Sequence, residues 1–163
     1  MTKPENCFVF TSQLWLPAPV EVVFQFFGDA ANLQAITPEW LNFCIITPGR
    51  IEMRPGALID YKLRVHGIPI RWQTEITEWC PYTRFVDEQR RGPYRTWIHE
   101  HRFAPQNGGT LAEDLVHYRP PMGWLMDRLF VRGDIERIFK HRCRKLLEHF
   151  SVPVTAPAGT NGC

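Results

Sequence analysis

The clearest pattern along the chain is a two-residue period. From Leu58 to His66, the apolar side chains Ile59, Tyr61, Leu63 and Val65 alternate with Asp60, Lys62, Arg64 and His66, which reads as a strand with one buried face. Gly67 turns the chain. The segment Ile68–Trp79 then resumes the alternation, with Ile70, Trp72, Thr74 and Ile76 on one face, until Cys80-Pro81 closes it. Phe85 to Phe103 reads as two more strands joined at Arg91-Gly92-Pro93. Strand side chains alternate between faces. The first of these strands therefore groups Phe85, Asp87 and Gln89, and the second groups Trp97, His99, His101 and Phe103. Gln106-Asn107-Gly108-Gly109 is a turn signal. It leads into a last strand over Thr110–Tyr118, stopped by Pro120-Pro121. Phe8–Leu16 and Asn42–Thr47 are the remaining candidate strands.

A helical period appears in three places. Val20, Val23, Phe24 and Phe27 follow Pro17-Ala18-Pro19 at the spacing of one buried helical face. A second short helix through Asn32, Leu33 and Ile36 ends before Pro38. Met122–Phe150 is helical, with Leu125, Leu129, Ile135, Phe139, Leu146 and Phe150 as inward positions and Gly133 as the expected bend. The stretch 151–163 is small, proline-rich and aperiodic, and is expected to be disordered. The order is strand, two short helices, hairpin-linked strands and one long helix. It predicts an α+β domain over residues 5–150, with an antiparallel sheet of about seven strands curved around the C-terminal helix and a cavity between them.

Composition narrows the function. The chain has 163 residues, 13% of them aromatic, and a net charge of +2, so no strong pull toward nucleic acid is expected. Cys7, Cys44, Cys80, Cys143 and Cys163 are odd in number and without close pairing, which reads as reduced thiols in a cytoplasmic protein. No signal-peptide pattern and no apolar run of membrane-spanning length is present, so no stable membrane insertion is expected. There is no G-x-S-x-G elbow, dinucleotide fingerprint or phosphate loop. Lys140 to Lys145 is a basic run, but Asp134, Glu136 and Glu148 interleave with the basic residues of the same helix, and a solvated outer face is the expected reading.

The face with His99 and His101 between Trp97 and Phe103 is too polar for an ordinary core and too aromatic for an ordinary surface. If the two turns close the hairpins, Asp87 falls opposite His99, and His101 opposite Asp114. A one-residue slip would send each partner to the other face. Such pairs admit three readings. They satisfy each other and fix register, they anchor a ligand, or they move a proton. His99-x-His101 also places two imidazoles on one side, as some metal sites require. An isolated H-x-H is weak evidence, however, and no metal or cofactor is expected. Met122, Trp124, Leu125 and Met126 are either core packing or a lip at the cavity mouth.

Several motifs carry a family resemblance over Phe8 to about Phe150. They are Pro19, Val23-Phe24, Asn32, Ile36-Thr37-Pro38, the run Phe85-Val86-Asp87-Glu88-Gln89 and Gly92-Pro93-Tyr94. Trp97, His99, His101, Phe103, Asp114, Tyr118 and Pro120-Pro121 complete the set. The chain resembles the START-like (SRPBCC) superfamily of helix-grip proteins, which includes polyketide cyclases and plant allergen-type carriers. Within it, the chain is similar to a bacterial ligand-binding group. The resemblance implies binding of a small hydrophobic molecule such as a lipid, an isoprenoid or a polyketide-like compound. Tyr61, Leu63, Trp72, Phe85, Trp97 and Phe103 would supply apolar area, with Ile59 beside them. Asp87, Gln89, His99, His101, Asp114 and Tyr118 would supply polarity. The same superfamily hosts aromatase/cyclase and dehydratase enzymes. In that case His99 or His101 would remove a proton, Asp87 or Asp114 would hold the imidazole, and Tyr61 or Tyr118 would meet an enolate oxygen. A third reading is a non-catalytic domain working with a separate enzyme partner. Oligomeric state is not legible.

Overall fold

The computed structural model describes residues 7–151. β1 (Phe8–Leu16) is followed by α1 (Val20–Phe27), α2 (Ala30–Ile36) and a 3-10 turn at Glu39–Leu41. Six strands come next: β2 (Cys44–Ile45), β3 (Leu58–Val65), β4 (Ile68–Cys80), β5 (Arg84–Arg91), β6 (Thr96–Gln106) and β7 (Gly109–Arg119). A helical turn α3 (Trp124–Met126) and a π-helical turn at Asp127–Val131 lead into the long α4 (Arg132–Phe150). The strands form one antiparallel sheet in the order β1-β7-β6-β5-β4-β3-β2. This is the helix-grip arrangement.

Two hairpin turns set the register. His66-Gly67 and Asn107-Gly108 each place two successive residues at positive φ, the mirror-image turn that matches strand twist. Asp87 pairs with His99, and His101 pairs with Asp114, as the turns predict. The β4–β5 ladder carries two irregularities, between Gln73 and Thr74 and between Ile76 and Glu78. Bulges bend a strand and increase its twist. They curl this sheet around α4, and the extra residue after Ile76 swings Trp79 to the inner side against Phe24.

Each end of the grip has its own packed cluster. At one end, α1 drives Val23 and Phe24 against Leu16, Phe85, Phe103 and Leu146. The Phe24 ring lies edge-on to both Phe85 and Phe103. Asp29 caps α2 by accepting from the Ala31 N–H at 2.9 Å, satisfying a donor that the helix start leaves open. At the other end, Val116, Tyr118, Val131, Ile135 and Phe139 pack together.

Three expectations need correcting. Leu125 and Leu129 are exposed, at 40% and 59%, and not inward. The irregularity in the last helical segment is the π turn at Asp127–Val131, not a bend at Gly133. That extra residue per turn rotates the preceding side chains off the inner stripe. The second candidate strand shrinks to Cys44–Ile45, because Ile46 and Thr47 both donate to the one Asp60 carbonyl, which breaks the regular ladder before Pro48. Cys7, Cys44, Cys80 and Cys143 are free thiols. Apart from Ser151, the C-terminal tail lies outside the described residues, as does Cys163.

Candidate functional site

Between the curved sheet and α4 lies a cavity of about 780 Å³. Its wall follows from the two-residue period of β3 and β4, which turns Ile59, Tyr61, Leu63, Ile70, Trp72 and Ile76 inward. Phe85 and Asp87 from β5 join them, with Trp97, His99 and His101 from β6. The helix contributes Ile135, Ile138, Phe139 and Arg142. Trp72 and Trp97 meet edge to face at 5.3 Å. The Tyr61 hydroxyl and the Trp72 indole both turn to Thr74 Oγ1, at 3.0 and 3.1 Å. Among the lining residues, Trp40 and Phe130 are each 49% exposed, so the cavity reaches the surface in the slot between α4 and the β3 side of the sheet. Two bridges span this slot. His66 Nε2 meets Asp134 Oδ2 at 2.7 Å, and the Arg137 guanidinium lies over the Trp40 ring.

The polar groups gather at one place on this wall. His99 Nε2 lies 2.9 Å from Asp114 Oδ1, and His101 Nε2 lies 3.2 Å from Asp87 Oδ2. The closest bonds are thus diagonal to the strand register, because each imidazole leans toward the carboxylate beside its opposite number. Each ring also approaches the other carboxylate. His101 Nδ1 is 3.0 Å from Asp114 Oδ1, with its N–H axis off line, and His99 Nδ1 is 3.5 Å from Asp87 Oδ2. The two rings lie tilted to each other with centroids 3.8 Å apart, and Phe85 stacks on His101 at 4.2 Å. Two Asp–His pairs have become one four-membered cluster.

Burial and charge act against each other here. Burial would raise the pKa of Asp114 and Asp87, but the histidine contacts outweigh it and hold both below the usual carboxylate range. Burial disfavours a charged His101, yet its contacts with Asp114 and Asp87 prevail and raise its pKa. Burial and then the charge of His101 pull His99 below the ordinary histidine value. One imidazole is therefore biased to be charged and its neighbour to be neutral. Burial, reinforced by Asp87, keeps the Tyr61 phenol protonated.

Four residues singled out from the sequence are not on the cavity wall. Gln89 is spent on the β5–β6 loop, donating to the Tyr94 carbonyl at 2.7 Å and accepting from the Tyr94 N–H. Phe103 belongs to the packed end under α1. Asp114 stands behind the histidines. Tyr118 donates to Asp127 Oδ1 at 2.6 Å, both groups buried, and so ties β7 to the π turn. The residue that the sequence reading missed is Arg142. Within the basic run it looked solvated, but its side chain is only 11% exposed and lies 3.9 Å from Asp114. The signal was present in the spacing. Ile135, Phe139, Arg142 and Leu146 follow one another at four, three and four residues, which is a single helical stripe.

Asp87, His99 and His101 offer ligand atoms within 4.8 Å of one another. A cation there would have to displace the existing His–Asp bonds and sit beside the Arg142 charge, so these residues suit a metal poorly.

Solved structures with the same architecture include the protein Ms6760 from Mycobacterium smegmatis (18% identical, TM-score 0.67, covering 88% of this chain and 90% of that one). Another is ginseng major latex-like protein 151 from Panax ginseng (11% identical, TM-score 0.62, covering 89% and 98%). A third is a nucleoside-diphosphate sugar epimerase from Corynebacterium glutamicum (23% identical, TM-score 0.65), where the match covers 87% of this chain but 29% of that one. No curated protein matches the sequence. No helix among the described residues is long and apolar enough to cross a membrane. Residues 16–147 match the family described as "Polyketide cyclase / dehydrase and lipid transport", and the chain belongs to that family.

Proposed function

We propose that this chain binds a small hydrophobic molecule, lipid-, isoprenoid- or polyketide-like, in the cavity between the sheet and α4. The observation that carries the reading is the cavity itself. Its volume of about 780 Å³ falls within the range of small-molecule sites, and its wall is apolar and aromatic with convergent polar groups in one place. The family's description names both cyclase chemistry and lipid transport. Binding is favoured over proton transfer because all four imidazole nitrogens of His99 and His101 face carboxylate oxygens within 3.5 Å. A general base needs a lone pair within reach of the substrate. Phe130, exposed and on the cavity lining, suits the loading of an apolar molecule.

The test is native mass spectrometry of freshly purified protein, then solvent extraction and titration with an apolar fluorescent probe. A stoichiometric apolar molecule, or saturable probe binding that Leu63→Trp and Ile70→Trp abolish by filling the cavity, is the expected result. A protein that carries nothing and takes up no probe would overturn the reading.

A further inference from the structure

Arg142 is the group that the fold leaves without an answer. It lines the cavity, and its Nε and Nη1 are buried and make no hydrogen bond. Its nearest carboxylate oxygen, on Asp114, is 3.9 Å away, beyond hydrogen-bond reach. Its other neighbour is the Phe139 ring, with 5.1 Å from the guanidinium carbon to the ring centre. Buried donors in folded proteins are almost always paired, and a guanidinium can only donate. A helix stripe that is otherwise Ile135, Phe139 and Leu146 has no packing need for such a group.

Resting on the reading that the cavity takes an apolar molecule, we propose that this molecule ends in a single carboxylate, which is received by the Arg142 guanidinium. A carboxylate is acceptor-only and matches a donor-only partner, and such pairs are stronger than neutral ones. The charge count around Arg142 selects a monoanion. The groups facing it are Tyr61 on β3, Asp87 on β5, His99 and His101 on β6, and Asp114 on β7. The phenol is neutral, the two aspartates carry two negative charges, and Arg142 with one protonated imidazole balances them. An arriving monoanion is balanced in turn when the second imidazole takes up a proton. A dianionic phosphate would exceed that capacity and leave buried charge unpaired. Carboxylate binding is therefore coupled to proton uptake by the histidine pair, and it strengthens as pH falls from 8 toward 6.

The experiment compares dodecanoate with dodecan-1-ol by titration calorimetry on the full chain. The expected result is about tenfold tighter binding of the acid at pH 7 (one decade of Kd). The preference should grow toward pH 6, with measurable proton uptake for the acid alone. Arg142→Met should lose the preference for the acid, while Arg142→Lys should keep part of it. Equal affinity for acid and alcohol in the unmodified protein, or an Arg142→Met protein that still prefers the acid, would overturn the proposal. Should Arg142→Met not fold, the acid-versus-alcohol ratio and its pH slope in the unmodified protein decide alone. Failure of both ligands to bind would overturn the cavity reading itself. Good binding of the alcohol without preference would overturn only the carboxylate.

Discussion

Replacing Asp114 by Asn tests the cluster most directly. Asp114 takes the His99 Nε2 bond at 2.9 Å, faces His101 Nδ1 at 3.0 Å and is the nearest carboxylate to Arg142. Asn keeps the shape and one acceptor but removes the charge. Two cationic groups would then share Asp87 alone. Removing one partner of a buried ion pair costs about 3–5 kcal/mol, and Asp87 remains, so we expect the lower end, about 3 kcal/mol. For a chain of this size that is a fall in Tm of about 6–12 °C. The pH dependence carries more information. His101 has a raised folded-state pKa, so its contribution is complete below the unfolded value of about 6.5 and fades as pH rises through the folded value. The lowered carboxylates work the other way, and their contribution is lost as pH falls below the unfolded carboxylate range, about 4. In the Asn variant the charged imidazole loses its main support, so the alkaline slope above pH 6.5 flattens. The gap between the two proteins is largest near pH 6 and narrows toward pH 9. Urea unfolding at half-unit steps of pH measures this. Parallel stability curves, or a cost under about 0.5 kcal/mol, would refute the reasoning.

Other perturbations probe separate parts of the fold. Tyr118→Phe leaves the buried Asp127 without its 2.6 Å donor. It should cost about 1–3 kcal/mol and speed amide exchange in 124–131 more than elsewhere. Gly109→Ala would place a methyl group hard against the Leu16 carbonyl oxygen and 2.6 Å from the Trp15 ring. Because the backbone of β1 must move, about 1–3 kcal/mol is expected to be lost, read by denaturant midpoint. His66→Ala removes one of the two bridges across the slot. Exposed pairs contribute under about 1 kcal/mol, so stability should hardly change while probe association and release, followed by stopped flow, both accelerate. An unchanged exchange rate would place the entrance elsewhere.

The strand reading succeeded where two constraints coincided. At His66-Gly67 and Asn107-Gly108 a turn that permits one geometry is flanked by clean alternation. Register follows there, and Arg91-Gly92-Pro93 adds the β5–β6 register, so that Asp87, His99, His101 and Asp114 meet. Periodicity failed wherever a local irregularity shifts it by one residue. The bulge after Ile76 brings Trp79 inward, and the π turn leaves Leu125 and Leu129 in solvent. Neither leaves a mark in a single sequence, since bulges and π turns carry no distinctive residue here. Gln89 shows a different limit. It has the right strand parity for the cavity, but the neighbouring loop claims it, and parity cannot anticipate a competing hydrogen bond. Arg142 was legible and misread, because the charge of its neighbours was given more weight than its place in the apolar stripe.

The same geometry fixes how an amphipathic molecule would lie. The polar cluster and Arg142 sit on facing walls, with the Phe24, Phe85, Phe103 and Leu146 packing closing the space beyond them. A tail attached to a carboxylate at Arg142 has an apolar path along Ile59, Leu63, Ile70 and Trp72 toward Trp40 and Phe130. Each methylene added to a straight-chain carboxylate should then strengthen binding by at most about 0.8 kcal/mol, close to fourfold, while the tail is still within the wall. Once it reaches the slot, further methylenes meet water and the gain stops. A calorimetric series from hexanoate to octadecanoate should therefore climb and then level, and cavity-narrowing Leu63→Trp should move the break to shorter chains. If affinity rises through the whole series with no break, the tail is not directed to the slot. If it levels at once, the carboxylate is not held at the depth of Arg142.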